Sequence, residues 1–318
     1  MDQYADHRRR LLKLSAVSLM LVLSAQFVPA AGILLLFLSI VPQLILFFEK
    51  KYISALIVWF TVSAASVFAI GWNFSGTYVF LFLVYTIVFS FMLIKGKRPY
   101  TVILLSSVLW CSIVMVWVGY NRIFLEVNLL EQIIKLTKIT GAVSIGKYYD
   151  FGLPYSQIEH MGKAFSSMIG FISRSAVGWM FITGIAGSWI VYYAASRYLP
   201  VPGLPPIILF RLPESYVWVM IAALILFMAG RNYTENNMAV LLASNTGVVI
   251  LGGYFLSGLG VVAFFMARWR ISFFFRSAVM VFLLIFLRGM YLFIIFGIMD
   301  VWMNFRNKWR ISRKGDIE

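Results

Sequence analysis

The sequence predicts an all-α protein, a polytopic transmembrane helical bundle with about 8–10 membrane segments and one amphipathic interfacial helix. Composition is the first reason, because 62% of the 318 residues are hydrophobic and only 12% are charged. A soluble domain carries about twice that charged fraction. The second reason is that several apolar runs approach or exceed the roughly 18 residues that cross a bilayer as a helix. The mean hydropathy of +0.89 agrees with this class.

The first apolar stretch, residues 14–48, follows a basic N-terminus. Its length fits two short spans, and Pro29 and Gly32 mark the turn between them. A basic start before an apolar run is also typical of a cleaved signal peptide, with Ala30 and Ala31 as the small residues near the cleavage point. Two spans are favoured, because further apolar sequence follows at once.

Three further spans are predicted at residues 52–70, 77–94 and 100–120. Basic clusters fall in every second loop of this half of the chain. They are Arg8, Arg9, Arg10 and Lys13, then Lys50 and Lys51, then Lys95, Lys97 and Arg98. Because short cytoplasmic loops carry an excess of Lys and Arg, the alternation predicts a multi-pass protein of the cytoplasmic (inner) membrane with a cytoplasmic N-terminus.

A more polar connector is predicted over residues 121–168. Within it, residues 128–140 place Leu and Ile side chains largely on one side of a helix, and Glu, Gln and Lys side chains mostly on the other. Such a helix lies on the membrane surface or caps the bundle. Residues 148–157 are rich in turn-forming residues and predict a loop.

A span at residues 172–195 contains Gly184 and Ser188, a spacing of small residues that permits close helix contact. The loop 196–213 contains five of the nine prolines and marks the boundary between two halves. The predicted organisation is a basic N-terminus (1–13), an N-terminal transmembrane half (14–120), the connector (121–168), a C-terminal transmembrane half (169–305) and a basic tail (306–318).

Spans at residues 214–230, 237–267 and 273–302 bring the apolar segments to nine. Nine full crossings would place the basic tail outside, against the positive-inside tendency. One solution breaks the long 237–267 segment at Gly252 and Gly253. The other makes an N-terminal segment re-entrant. Either solution returns the tail to the cytoplasm, so both termini are predicted to lie inside.

The net charge of +15 comes from 27 Lys and Arg against 12 Asp and Glu. In a chain with this many apolar runs, basic residues are expected to hold short loops against anionic headgroups. The predicted partner is therefore the lipid bilayer, and nucleic acid is not expected.

Catalytic and metal-binding signals in the sequence are weak. The two histidines, His7 and His160, are not spaced with acids as metal ligands, and Cys111 is the single cysteine. No hydrolase or metalloprotease motif occurs. We predict no catalytic residue, no metal and no cofactor, and we do not expect an enzyme.

Arg288 lies near the middle of the last apolar run. An ionisable residue inside a span is costly and favours a functional role by default. It either lines a cavity for a polar ligand, or pairs with a carbonyl or polar side chain of a neighbouring span. Asp300 is not its direct partner on the same helix, because the twelve residues between them correspond to about 18 Å of rise.

Four other residues join Arg288 as candidates for a ligand site or polar pocket. Asn245 and Thr246 lie in the middle of a span, where hydrogen bonding between helices is the alternative. Glu214 lies at a predicted helix start, where a carboxylate complements the helix dipole. Asp300 is close in sequence to Arg306, with which it can form an ion pair at the membrane interface.

Three segments of the C-terminal third resemble the YybS-like family of multi-span bacterial membrane proteins. They are FRLPES (210–215), YFLSGLGVV (254–262) and GIMDVWMNFR (297–306). That family is similar, at a distance, to the substrate-binding subunits of energy-coupling-factor vitamin transporters. The resemblance implies a helical bundle with a small-molecule pocket and a helper ATPase module. Those subunits carry an Ala-xxx-Ala surface on their first helix, whereas residues 14–28 contain no such pair.

Two functions from different classes follow from these observations. The first is binding or translocation of a small polar solute, with Arg288 and Asn245 lining the site and Glu214 and Asp300 shaping its edges. The second is a membrane scaffold that presents its amphipathic segment and basic tail to a protein partner. An intramembrane enzyme is a remote third, for which no motif argues.

Overall fold

The computed structural model describes residues 2–27, 29–150, 152, 154–230, 238–286 and 289–306. Within these residues the regular structure is helical. The α-helices are α1 (Asp2–Phe27), α2 (Pro29–Leu38), α3 (Val41–Phe48), α4 (Tyr52–Ile70), α5 (Trp72–Ile94), α6 (Pro99–Phe124), α7 (Leu129–Asp150), α8 (Tyr155–Arg174), α9 (Ala176–Ala195), α10 (Ser215–Gly230), α11 (Met238–Arg268), α12 (Phe273–Phe286) and α13 (Gly289–Met303). Four segments are long and apolar enough to cross a membrane, namely 76–94 within α5, and α6, α9 and α11. The predicted helical membrane bundle is confirmed.

Proline and glycine set several of these helix boundaries. Pro99 lies in the first turn of α6, where its missing N–H costs nothing. Gly71, with φ of 116°, separates α4 from α5 in a conformation that other residues rarely adopt. The predicted stretch 14–48 has an interruption that was not predicted, because a turn at residues 39–40 separates α2 from α3.

The structure corrects two of the predicted boundaries. Helix α11 runs without a break from Met238 to Arg268, so the predicted interruption at Gly252 and Gly253 is wrong. Helices α12 and α13 lie within the predicted span 273–302, and residues 287 and 288 between them are outside the described residues. The predicted loop 148–157 is shorter, because α7 extends to Asp150 and α8 begins at Tyr155.

The contacts within the chain define two compact units. Unit 1 comprises Met1–Ile133 and Met180–Leu204, and unit 2 comprises Ile134–Trp179 and Pro205–Glu318. The core of unit 1 is aromatic. Phe37 lies against the ring of Tyr85 at 5.4 Å and against that of Trp110 at 4.7 Å between centroids. These three side chains are at most 3% exposed.

Small residues of α9 approach the helices of unit 1 closely, as their spacing predicts. A Cβ on Gly184 would lie 3.2 Å from the Cα of Ser107 in α6. One turn further along, the Ser188 hydroxyl lies 2.8 Å from the Tyr85 hydroxyl, and both residues are fully buried. The predicted close contact through Gly184 and Ser188 is confirmed, and a hydrogen bond accompanies it.

The first two basic clusters lie at the same end of unit 1. Glu49, just after α3, forms ion pairs with Arg10 of α1 and with Lys51, the latter at 2.9 Å. Partial burial acts to raise the pKa of the Glu49 carboxyl, but the hydrogen bonds and positive charges of Lys51 and Arg10 outweigh it, so the pKa is lowered. The carboxylate thus offsets some of the repulsion between the two clusters.

Unit 2 is built around the crossing of α11 and α13. Gly258 of α11 meets the backbone of Phe293, and Gly297 of α13 meets the backbone of Tyr254. These pairs show that the two helices run antiparallel in backbone contact. A side chain at either glycine would overlap the facing carbonyl group. Glycine is therefore required at both positions, as is usual where membrane helices pack most tightly.

Candidate functional site

Asp300 lies in the last turn of α13 and is completely buried. The helix ends three residues later, and Asn304 adopts a left-handed conformation with φ of 48° while its N–H donates to the Asp300 carbonyl. Asn is one of the few residues that accept this conformation readily at a helix end. The turn sends the chain back, so that the side chain of Arg306 reaches the carboxylate of Asp300.

Arg306 uses all five of its N–H groups. Its Nε and Nη2 donate to Oδ2 of Asp300 at 3.0 and 2.6 Å, and Nη2 also donates to the Ser257 hydroxyl at 3.4 Å. Its Nη1 donates to the carbonyls of Ile208 and Phe210 at 2.8 and 2.7 Å. A guanidinium has five donors, so Arg306 is saturated. Arg306 is only 7% exposed, and from this buried position it joins α13, α11 and the segment before α10 through hydrogen bonds.

Arg211 approaches the same carboxylate from the connector that precedes α10. It donates to Asn304 Oδ1 at 2.9 Å, and to the carbonyls of Asp300 and Val301 at 3.2 and 2.9 Å. These carbonyls end a helix, where positive charge is favourable. Its Nε lies 3.9 Å from Asp300 Oδ2, and its side chain is 30% exposed. Arg211 thus caps α13, and part of its side chain is accessible.

The three C-terminal segments quoted from the sequence, 210–215, 254–262 and 297–306, meet at this one cluster. FRLPES supplies Arg211 and the Phe210 carbonyl, YFLSGLGVV supplies Ser257, and GIMDVWMNFR supplies Asp300 and Arg306. The predicted ion pair between Asp300 and Arg306 is confirmed, but it is buried inside unit 2. Arg306, which the sequence assigned to the basic tail, is part of the protein interior.

One atom of the cluster has no hydrogen-bond partner. Oδ2 of Asp300 accepts both bonds from Arg306, whereas Oδ1 is buried and has no partner within the described structure. A buried carboxylate oxygen without a partner is costly. Such groups are therefore uncommon unless strain or function explains them.

Asn245 joins α11 to the junction of α8 and α9. Its Oδ1 accepts the Gly178 N–H at 2.7 Å, and its Nδ2 donates to the carbonyls of Arg174 and Leu241 at 2.9 and 2.7 Å. In an unbroken helix the Gly178 N–H would donate to the carbonyl four residues earlier, that of Arg174. The Asn245 amide stands between these two groups and satisfies both. Insertion of a side chain into the helical ladder is a recognised cause of helix breaks.

We expect Asn245→Ala to lower the free energy of unfolding by about 1–3 kcal/mol, because the Gly178 N–H and the Arg174 carbonyl lose their shared partner. Thr246→Ala, at the neighbouring half-buried position, is the matched control and should cost less than about 1 kcal/mol. Denaturant unfolding of the purified proteins in detergent measures both. Equal losses for the two variants would contradict this role of Asn245.

The other predicted site residues do not join the Asp300 cluster through any contact seen in the described structure. Asn245 forms the predicted hydrogen bonds between helices, and Thr246 is half-buried beside it. Glu214 is exposed immediately before α10, whose predicted start is confirmed. Arg288 lies outside the described residues.

Sequence reasoning overlooked three features of unit 2. Arg211 and Ser257 were quoted only as parts of motifs, although an arginine between apolar residues (LFRLP) is itself a signal of a buried partner. The amphipathic helix α8 was also overlooked. Its signal is the run of apolar residues at helical spacing, namely Ile158, Met161, Phe165, Ile169 and Ile172.

A fold whose regular structure is helical in the described residues, with several apolar helices long enough to cross a bilayer, defines a multi-pass integral membrane protein. The family described as "Predicted membrane protein (DUF2232)" matches residues 16–301, and the chain belongs to this family. The match includes Asp300 and Arg211 and ends before Arg306. No curated protein and no solved structure matches the chain.

Proposed function

We propose that this membrane protein binds and translocates a small polar solute, and that Asp300 is the residue that contacts it. The observation that carries the proposal is the second carboxylate oxygen of Asp300, which is buried and has no partner in the described structure. Ionisable residues in the interior of membrane proteins commonly mark substrate or ion pathways. The resemblance to the YybS-like family, and through it to vitamin-binding transporter subunits, supports the same class of function.

The free hydrogen-bonding groups of the cluster indicate which groups the proposed solute carries. Oδ1 of Asp300 is an acceptor without a donor in the described structure, so the proposed solute carries an amine, amide or hydroxyl donor. Arg211 makes three hydrogen bonds through Nη1 and Nη2, whereas its Nε lies 3.9 Å from the nearest carboxylate oxygen. A guanidinium N–H that is not saturated can donate to an acceptor on the same solute. The proposed solute therefore has both a donor and an acceptor.

Access to Asp300 requires movement of the connector before α10. Arg306 holds the Ile208 and Phe210 carbonyls of this segment over the carboxylate through two hydrogen bonds. In the proposal the connector lifts as the solute arrives, and the solute replaces part of the contact that Arg306 made. The two bonds exchange protein partners for solute or water, so the net cost is about 1–3 kcal/mol.

A panel of amines, amino acids, nucleosides and water-soluble vitamins tests the proposal. We expect at least one member to stabilise the purified wild-type protein against thermal unfolding, by about 2.7 kcal/mol at 100 times its Kd. Asp300→Asn, which keeps an oxygen acceptor for Arg306 but loses the charge, should lose that response. Glu214→Gln removes an exposed carboxylate and should keep it. Solute binding at Asp300 is contradicted if no member of the panel stabilises the wild-type protein. It is also contradicted if the panel stabilises Asp300→Asn as much as the wild type.

A further inference from the structure

Helix α7 has two apolar faces, and the described residues cover one of them. Gly141 is buried and lies against the ring of Phe165 in α8. Ile139 and Val143 stand two residues to either side of Gly141, which is about 200° around the helix. Leu136 is on the same outer face, three residues before Ile139. These three side chains are 64%, 53% and 59% exposed for Leu136, Ile139 and Val143 respectively.

Positive charge accompanies this outer face. Lys135 is exposed one turn before Ile139, and Lys147 is exposed one turn beyond Val143, whereas Lys138 is exposed nearer the Gly141 side of the helix. Over residues 134–179, which include α8, the sequence has five Lys and Arg against two Asp and Glu, a net charge of +3. An apolar face bordered by lysines is the pattern of a helix that lies in the headgroup region of an anionic bilayer.

From this geometry we infer that α7 lies along the membrane surface and that its outer face is covered by anionic lipid. Leu136, Ile139 and Val143 enter the boundary between headgroups and acyl chains, and Lys135 and Lys147 contact lipid phosphates. Helix α8 covers the opposite face through Phe165, so α7 lies between protein and lipid. Charge favours lipid over a second copy of the chain, since two copies of so basic a face would repel each other. The inference does not depend on the proposed solute site.

Spin labels measure the depth of α7 directly. The full-length protein, with Cys111 replaced by serine, receives single cysteines at positions 138, 139 and 143 and is placed in nanodiscs of phosphatidylcholine with phosphatidylglycerol. We expect the labels at 139 and 143 to lie about 5–10 Å below the phosphates, with collisions mainly with oxygen. The label at 138 should collide mainly with a water-soluble nickel chelate.

A second arm tests the lipid charge. In Lys135→Gln/Lys147→Gln, the ratio of α7 released from the membrane surface to α7 bound there should rise roughly 30-fold, from about a fivefold contribution of each lysine. Lys163→Gln in α8, where the lysine is paired with Glu159, is the matched control and should change the ratio little. The inference is overturned if the labels at 139 and 143 are as accessible to nickel as that at 138. It is also overturned if they lie at the bilayer centre, or if they are shielded from both oxygen and nickel by a protein partner.

Discussion

Replacement of Arg306 by alanine is expected to lower the free energy of unfolding by about 3–5 kcal/mol. The loss leaves the carboxylate of Asp300 buried without a counter-charge, although Arg211 lies 3.9 Å away. It also removes the two hydrogen bonds to the Ile208 and Phe210 carbonyls, and these bonds hold the segment before α10 in place. The effect arises mainly from the groups left unpaired, because burying the charged pair is itself costly. Chemical unfolding in detergent, followed by circular dichroism, measures it.

Two variants separate this explanation from a general loss of packing. Arg211→Ala should cost less than Arg306→Ala, because the Arg211 side chain is 30% exposed and its partners remain partly within reach of water. The double variant Asp300→Leu/Arg306→Met removes both charges and should recover much of the stability. If the free energy of unfolding of Arg306→Ala were within about 1 kcal/mol of the wild-type value, the buried ion pair would not be needed for stability.

Alanine at Gly258 is expected to be at least as damaging, with a loss of about 3 kcal/mol or more. The added methyl group would overlap the backbone of Phe293, and a backbone group cannot turn aside as a flexible side chain does. Helices α11 and α13 must separate, which disturbs the burial of Tyr254 and Val301 as well. Thermal unfolding of the purified protein provides the measurement.

Gly247→Ala is a control in the same helix. No atom outside α11 lies within 4 Å of the Cβ that this substitution adds. Alanine favours helix by up to about 1 kcal/mol relative to glycine, so this variant should be as stable as the wild type or more so. If the substitutions at positions 247 and 258 had the same effect, close contact between α11 and α13 would not be the reason for Gly258.

The sequence was informative about single residues and less so about their partners. Asp300 and Asn245 were both singled out because polar groups in apolar runs are costly, and both are involved in networks in the structure. Hydropathy does not show which donors meet an acceptor, since the partners of Asp300 and Asn245 come mostly from other segments. Arg306 was assigned to a basic tail because it follows the last apolar run and precedes further Lys and Arg. The turn at Asn304 instead brings the Arg306 side chain into the protein interior, where it pairs with Asp300.

The sequence by itself determined the class of this protein, a multi-pass helical membrane protein, and the approximate position of most apolar helices. It could do so because the bilayer requires long apolar runs with every backbone group paired inside the helix, which is a local property of the chain. Only the tertiary structure decided that α11 is continuous, that the Asn245 amide stands between Arg174 and Gly178, and that three distant segments close around Asp300. Each of these depends on which helices touch, and contacts between helices rest on a few glycines and hydrogen bonds spread over the chain.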